Sequence, residues 1–317
     1  MASEAAVGQR SWLLGLLGEH IGGSLTPMMH EAEAERQGLR LLYRTIDTVG
    51  MRGKVPSWPA LVEVAAQLSF DGLNVTHPAK QAVTAALDEL SEEAELIGAV
   101  NTIAFRDGRA IGMNTDHIGF SQALASLGSG SGAGSAAGSN AGSGSPSAPS
   151  ARLDIGLDRV VQLGAGGAGA ATAYALLREG VGELVIADVD LGRAEALIQR
   201  LAGAFAGPRI RAVPTSEVGD IVRTADGLLN CTPIGMTGVS ETSPIDVTAL
   251  HPGLWVGDAV YRPLKTVLVR AAEAIGCRAF GGAQMVVGQA AAAFEVFTGR
   301  PADRAAMLTD FTATGPR

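Results

Sequence analysis

The run VVQLGAGGAG at 160–169 limits the fold more than any other stretch of the chain. Gly164, Gly166 and Gly169 form G-x-G-x-x-G between a β-rich run at 159–163 and a helical pattern at 169–178. In that context the first glycine permits a tight turn. The second lets a pyrophosphate approach the backbone at a helix N-terminus, and the third allows close helix–strand packing. A second β-rich run at 183–187 ends at Asp188, 24 positions after Gly164, and a helical pattern follows at 193–201. A carboxylate at that strand end can accept hydrogen bonds from an adenosine ribose and would repel a 2′-phosphate. The βαβα alternation predicts a parallel sheet.

At 317 residues the chain is long enough for two domains. Hydrophobic residues make up 47% and charged ones 18%, a balance that supports a packed core and excludes a disordered protein. The formal net charge of −8, without a basic patch, argues against nucleic acid and anionic membrane surfaces as partners. Cys231 and Cys277 form no C-x-x-C pair, and the five histidines show no H-x-x-x-H or H-E-x-x-H spacing. No disulfide framework or metal site is therefore expected. The apolar run at 12–17 is shorter than a signal-peptide core and reads as a strand, and no run of ~18 apolar residues is present. The expectation is a soluble protein of the reducing cytoplasm. The Gly/Ser-rich segment within 129–152, SGSGAGSAAGSNAGSGSPSAPS, has almost nothing to pack and is expected to be disordered, as a linker or as an insertion looping from one domain.

Before that segment, 12–17 and 41–46 read as strands, and 27–37, 58–68, 79–90 and 118–127 as helices. The segments GLNVTHPAK, GAVNT and GMNTD place Thr76, Lys80, Asn101, Thr115 and Asp116 in otherwise apolar surroundings. Hydroxyls, an amide, an amine and a carboxylate suit a small polyhydroxylated acid. Taken alone, a lysine and an aspartate 36 positions apart are an ordinary surface pair.

These residues resemble the shikimate/quinate dehydrogenases. GGSLTPMMH is similar to the family's amino-terminal substrate motif, GLNVTHPAK to its lysine motif, and GAVNT with NTD to its middle motifs. NCTPIGM, GDAVYRP and GGAQMVVGQAAAAF resemble its later cofactor and substrate segments. The likeness covers nearly all of the chain except the first ten residues and the Gly/Ser-rich segment. It implies an α/β protein of two domains with a cleft between them. The substrate domain would comprise 1–116 with 285–317, and the Rossmann-type NAD-binding domain 117–284.

Carried over, the resemblance makes Lys80 the catalytic lysine and Asp116 its partner. Ser24 and Thr26 match hydroxyls that hold the substrate carboxylate. Thr76, Asn101, Asp116 and Gln289 match groups that hold ring hydroxyls, with Thr115 and Tyr261 close by. On the cofactor side, Gly164, Ala165, Gly166, Gly167, Ala168 and Gly169 match the pyrophosphate loop, and Asp188 and Arg193 the adenosine end. Thr232, Pro233, Ile234, Gly235, Met236, Val260, Gly282 and Met285 match the nicotinamide end.

The implied reaction is reversible, NAD-dependent oxidation of quinate and shikimate, with NAD as cofactor and Lys80 as general base. A lysine free in water is charged at neutral pH; closure around the substrate and the positive nicotinamide ring would both disfavour that charged form, while Asp116 would favour it, so this role requires the first two to win. Alternatives are an NADP-linked biosynthetic shikimate dehydrogenase, a relative acting on an amino analogue, or a regulator that binds quinate without turnover. Asp188 argues against NADP, and the presence of both Lys80 and Asp116 against a regulator. The expected assembly is a monomer or homodimer.

Overall fold

The computed structural model describes residues 10–128, 154–205 and 207–315. The Gly/Ser-rich insertion at 129–152 lies outside them. The chain divides into two compact units, Met1–Gly119 with Val286–Arg317, and Phe120–Met285.

The first unit begins with β1 (Ser11–Gly18), α1 (Thr26–Arg36), β2 (Arg40–Asp47), α2 (Trp58–Gln67) and β3 (Gly72–Val75). It continues with β4 (Glu89–Leu90), α3 (Glu92–Ile97), β5 (Thr102–Arg106) and β6 (Arg109–Met113), and α4 (Asp116–Gly128) leads into the second unit. The sheet order is β2-β1-β3-β5-β6-β4. β1 runs parallel to β2 and β3, whereas β5 is antiparallel to both β3 and β6, so this sheet is mixed. β1 is apolar from Trp12 onward because both its faces are covered. Leu14 and Leu16 pack with Tyr43, Ala293 and Phe297 on one side, and Leu17 joins Leu73, Val75, Val83 and Ile103 on the other.

The helix expected at 79–90 is instead a short 3-10 segment at Ala82–Ala86 followed by β4. Asp88 N–H donates to Ala110 O at 2.9 Å, and Ala110 N–H to the Asp88 carboxylate at 2.7 Å. These bonds draw the chain beside β6. Long-range pairing here outweighs a helical spacing too short to sustain itself.

The second unit comprises β7 (Arg159–Leu163), α5 (Gly167–Arg178), β8 (Glu183–Ala187), α6 (Leu191–Ala202) and β9 (Arg209–Val213). After these come α7 (Val218–Val222), β10 (Gly227–Asn230), β11 (Trp255–Asp258), α8 (Val267–Ala274) and β12 (Arg278–Phe280). Its sheet is wholly parallel in the order β12-β11-β10-β7-β8-β9. Succession runs one way from β7 to β9 and the other way from β10 to β12, so the order reverses between β7 and β10. A crevice outside the carboxyl ends of such strands is where open α/β sheets bind ligands.

The chain then returns to the first unit through α9 (Gly282–Thr298) and α10 (Arg304–Thr314). Glu33, fully buried on α1, anchors this return. Its carboxylate accepts from Arg36 at 2.7 Å, from Gln37 Nε2 at 2.7 Å and from Asp303 N–H, just ahead of α10, at 2.9 Å. No helix among the described residues is long and apolar enough to cross a membrane.

Candidate active site

In the first unit the strand directions bring the polar motifs to one end of the sheet. β1 and β3 are parallel with Leu17 beside Val75, so the loop carrying Ser24 and the loop carrying Thr76 and Lys80 leave at the same end. β5 is antiparallel to β3 with Thr102 beside Asn74, which puts Asn101 at that end too. β6 is antiparallel to β5 with Met113 beside Thr102, so the chain emerges there through Asn114, Thr115 and Asp116.

Lys80 Nζ donates to Asp116 Oδ2 at 2.6 Å, and Asn101 Nδ2 donates to Asp116 Oδ1 at 2.8 Å. The Lys80 and Asp116 side chains keep 21% and 17% of their exposure, so the pair is largely shielded yet reachable. The same Asn101 amide lies 3.0 Å from Thr115 Oγ1 and 3.4 Å from Gln289 Oε1. Its orientation is set from behind, because Asn101 Oδ1 accepts from Thr115 N–H at 2.7 Å and from Thr102 Oγ1 at 3.0 Å. The amide nitrogen is thereby left facing Asp116. Asp116 opens α4, and its own N–H donates to Asn114 Oδ1 at 3.0 Å.

Lys80, Asn101, Thr115, Asp116 and Gln289 thus form one hydrogen-bonded group. Ser24 and Thr26 form a second, with Ser24 Oγ donating to Thr26 Oγ1 at 3.2 Å. Thr76 follows β3 directly, four residues before Lys80, and makes no side-chain link to either group among the bonds described. The sequence reading missed a buried layer beneath the site. Tyr43 Oη donates to Asn74 Oδ1 at 2.7 Å, and Asn74 Nδ2 reaches Thr102 Oγ1 at 3.3 Å. Asn74 carries a legible signal, an amide between Leu73 and Val75 in a strand buried at every position. His30 lies fully buried against the rings of Tyr43, Phe294 and Phe297, and burial pulls its pKa down to about 3, so it is neutral.

In the second unit the glycine loop joins β7 to α5. Gly164 has φ +94°, a left-handed conformation that favours glycine, and a Cβ on Gly169 would stand 2.1 Å from Gly164 O. A Cβ on Gly166 would meet nothing within 4 Å, so the backbone there is open to an approaching group. Gly166 is also the N-cap of α5 and offers no side-chain cap to the first helical N–H groups. Open backbone, an uncapped helix N-terminus and the strand-end acid Asp188 fit a dinucleotide pyrophosphate and ribose.

Asp188 is buried, with Oδ2 accepting Ala165 N–H at 2.8 Å and Oδ1 accepting Asp190 N–H at 2.9 Å. Arg193 lies 3.5 Å from Asp188 Oδ1 and 3.8 Å from Asp190 Oδ2. Asp190 caps α6 by accepting Arg193 N–H at 3.3 Å. Sequence reasoning did not single out Asp190, although its place two residues after Asp188 was visible.

The segment 230–236 follows β10. Asn230 Oδ1 accepts both the N–H and the hydroxyl of Thr232, at 3.0 and 2.7 Å, and Ile234 N–H donates to Thr232 Oγ1 at 3.2 Å. Pro233 O accepts Met236 N–H at 3.1 Å, and Gly235 has φ +100°. Val260 O accepts Gly282 N–H at 3.1 Å, at the start of α9, where Met285 is buried. Tyr261 stacks at 6.0 Å from the Arg262 guanidinium. Cys231 lies 3.2 Å from Thr172 Oγ1, and burial pushes its thiol up to about 12, which suits packing and not nucleophilic attack.

Asp258 ends β11, and burial raises its carboxyl to about 6. A raised folded-state pKa means that protonation favours folding. The contribution is full below about pH 4 and lost as pH rises through about 6. Across that window the wild type should lose on the order of 2–3 kcal/mol relative to an Asp258→Asn variant, which does not titrate. Urea unfolding of both at pH 4 and pH 7 measures this, and an unchanged difference between the two pH values would contradict it.

The chain is similar to known proteins over nearly its whole length. A model of the shikimate dehydrogenase substrate binding domain matches residues 16–103, and one of the shikimate 5′-dehydrogenase C-terminal domain matches 282–309. The shikimate dehydrogenase (NADP(+)) of Pseudarthrobacter chlorophenolicus is 45% identical over 301 residues, covering 95% of this chain and 94% of that relative. The quinate/shikimate dehydrogenase (NAD(+)) of Corynebacterium glutamicum is 41% identical over 302 residues, covering 95% and 98%. The solved structure of a quinate dehydrogenase from Corynebacterium glutamicum in complex with NAD superposes with a TM-score of 0.84 at 40% identity, covering 96% of this chain and 99% of that one. The relatives are divided between NADP and NAD by name, but they share one architecture of a substrate domain and a Rossmann-like cofactor domain. The chain belongs to the shikimate/quinate dehydrogenase family, as an oxidoreductase that works with a pyridine nucleotide.

Proposed function

We propose that the chain oxidises quinate and shikimate at a ring hydroxyl with NAD, with Lys80 as the base. The observation that carries the chemistry is the 2.6 Å contact between Lys80 Nζ and Asp116 Oδ2 in a polar group otherwise built of amides and hydroxyls. In this reading 1–116 with 285–317 binds substrate and 117–284 binds the cofactor. The dinucleotide, when bound, supplies the hydride acceptor. Ser24 and Thr26 hold the substrate carboxylate. Thr76, Asn101, Asp116 and Gln289 hold the ring hydroxyls, with Thr115 and Tyr261 beside them. Lys80 takes the hydroxyl proton at Nζ, and the ammonium so formed stays against Asp116 Oδ2. Asn101 Nδ2 on Asp116 Oδ1 keeps that carboxylate aimed at the lysine.

Support for NAD over NADP comes from the charges after β8. Among the described residues Arg193 is the cation paired with Asp188 and the candidate to serve a 2′-phosphate, but it already lies between the carboxylates of Asp188 and Asp190. Two acids and one arginine leave that end negative, which suits free ribose hydroxyls and opposes a phosphate.

Support for quinate comes from Thr26. Its hydroxyl can bind carboxylate as a serine would, while its methyl shapes the pocket around the carbon that is tetrahedral in quinate and planar in shikimate. A methyl group discriminates by only ~1–3 kcal/mol, so both acids should be oxidised. Thr26→Ser should move the quinate-to-shikimate ratio of kcat/KM by roughly 5- to 20-fold, without abolishing either activity. Steady-state rates with each acid test this, and a wild type that turned over shikimate but not saturating quinate would refute the quinate assignment.

A further inference from the structure

The segments proposed for the nicotinamide end are separate in sequence, yet they converge on one buried carboxylate outside the proposed contact set. Asp258 Oδ1 accepts Val260 N–H at 2.9 Å and Asn230 Nδ2 at 3.0 Å, and Asp258 Oδ2 accepts Thr266 Oγ1 at 2.6 Å. Asn230 carries the connection into the loop after β10. Its Nδ2 also donates to Ile234 O at 3.0 Å, and its Oδ1 holds both the N–H and the hydroxyl of Thr232.

Val260 carries the connection toward α9. Its carbonyl accepts Gly282 N–H, and the backbone there is so close that a Cβ on Gly282 would stand 2.3 Å from Ala259 O. Thr266 caps α8 by accepting Val269 N–H at 3.3 Å, which fixes the far end of the same loop. The three donors that converge on Asp258 thus belong to the end of β10, the loop after β11 and the cap of α8.

We infer that Asp258 is a positioning residue for the nicotinamide half of the dinucleotide, setting the backbone at 232–236, 260 and 282 through its three hydrogen bonds. This rests on the dinucleotide reading above. The adenosine half depends on different groups, the 164–169 loop and Asp188, which hold each other through Ala165 N–H. Loss of Asp258 should therefore act on one half of the cofactor and spare the other. A residue needed only for general folding would weaken both.

Equilibrium binding to the full chain, by quenching of its tryptophan fluorescence, separates these cases with two probes. NADH carries both halves, and ADP-ribose carries the same adenosine and pyrophosphate without the nicotinamide. Asp258→Leu removes all three acceptor contacts while keeping the same number of side-chain heavy atoms. It should raise the Kd for NADH by at least ~10-fold while ADP-ribose stays within ~3-fold.

Asp258→Asn keeps Oδ1 for Val260 and Asn230 and can donate from Nδ2 to Thr266 Oγ1, so it should bind NADH within ~3-fold of wild type. Thr266→Val removes one donor and should raise the NADH-to-ADP-ribose ratio of Kd by roughly 3-fold. If the leucine variant fails to fold, the threonine variant decides the matter by that ratio. Equal losses for the two probes, or no loss for either, would overturn the inference while leaving the dinucleotide reading intact. A wild type that bound neither probe would overturn both.

Discussion

Lys80→Ala is expected to lower kcat by on the order of 10²–10⁴, the range for loss of a general base. The substitution removes the only amine in the group formed by Asn101, Thr115, Asp116 and Gln289, and it leaves Asp116 Oδ2 without its 2.6 Å partner. The Kd for NADH should change by less than ~3-fold, because the glycine loop and Asp188 lie in the other unit. Asp116→Asn should act differently, since Asp116 both receives the Lys80 amine and faces the Asn101 amide. An asparagine can keep only one of these contacts as an acceptor, so KM should rise and kcat fall together. Steady-state kinetics beside NADH titration separates these effects. A Lys80→Ala enzyme with near wild-type kcat would assign the base to another group or to water.

Asp188→Ser is the second large effect. The carboxylate is proposed to bind the adenosine ribose, and it also accepts Ala165 N–H and so holds the pyrophosphate loop against β8. Its loss should raise KM for NAD by at least ~10-fold, which corresponds to ~1.4 kcal/mol. It also releases Arg193 from one of its two carboxylates, so kcat/KM with NADP should rise or hold while that with NAD falls. Because Asp190 remains, the inversion should be incomplete, and adding Asp190→Ser should carry it further. An unchanged cofactor ratio in the single variant would place the ribose away from Asp188.

Each unit was legible in its opening strands and hidden in its later ones, for a physical reason. The strands at 159–163 and 183–187 coincide with β7 and β8 because these mostly apolar, buried parallel strands sit between glycine turns and amphipathic helical patterns. β3, β5 and β6 in the first unit and β9 to β12 in the second went unread, because three to five residues without a flanking motif are too short for periodicity to declare and their partners are set by long-range pairing. The same cause turned the expected helix at 79–90 into a 3-10 segment and a strand.

Among the site residues, Lys80, Asn101 and Asp116 stood out because polar groups in apolar segments need partners, and the structure brings them within hydrogen-bond reach. That they meet could not be read from a 36-residue separation, since it depends on the reversal of β5 between β3 and β6. Asn74, Thr102 and Asp258 were passed over for the opposite reason. Each is satisfied internally, and a buried polar residue with all its bonds made leaves no trace in sequence beyond an odd residue in an apolar strand.

The most direct test of the account is a four-way comparison of kcat/KM for the wild-type protein, with quinate or shikimate as substrate and NAD or NADP as cofactor. Both acids should be turned over with a preference for NAD of at least ~10-fold, one NADH appearing for each substrate oxidised. Equal use of the two cofactors, or a preference for NADP, would contradict the claim that the acids after β8 exclude the 2′-phosphate.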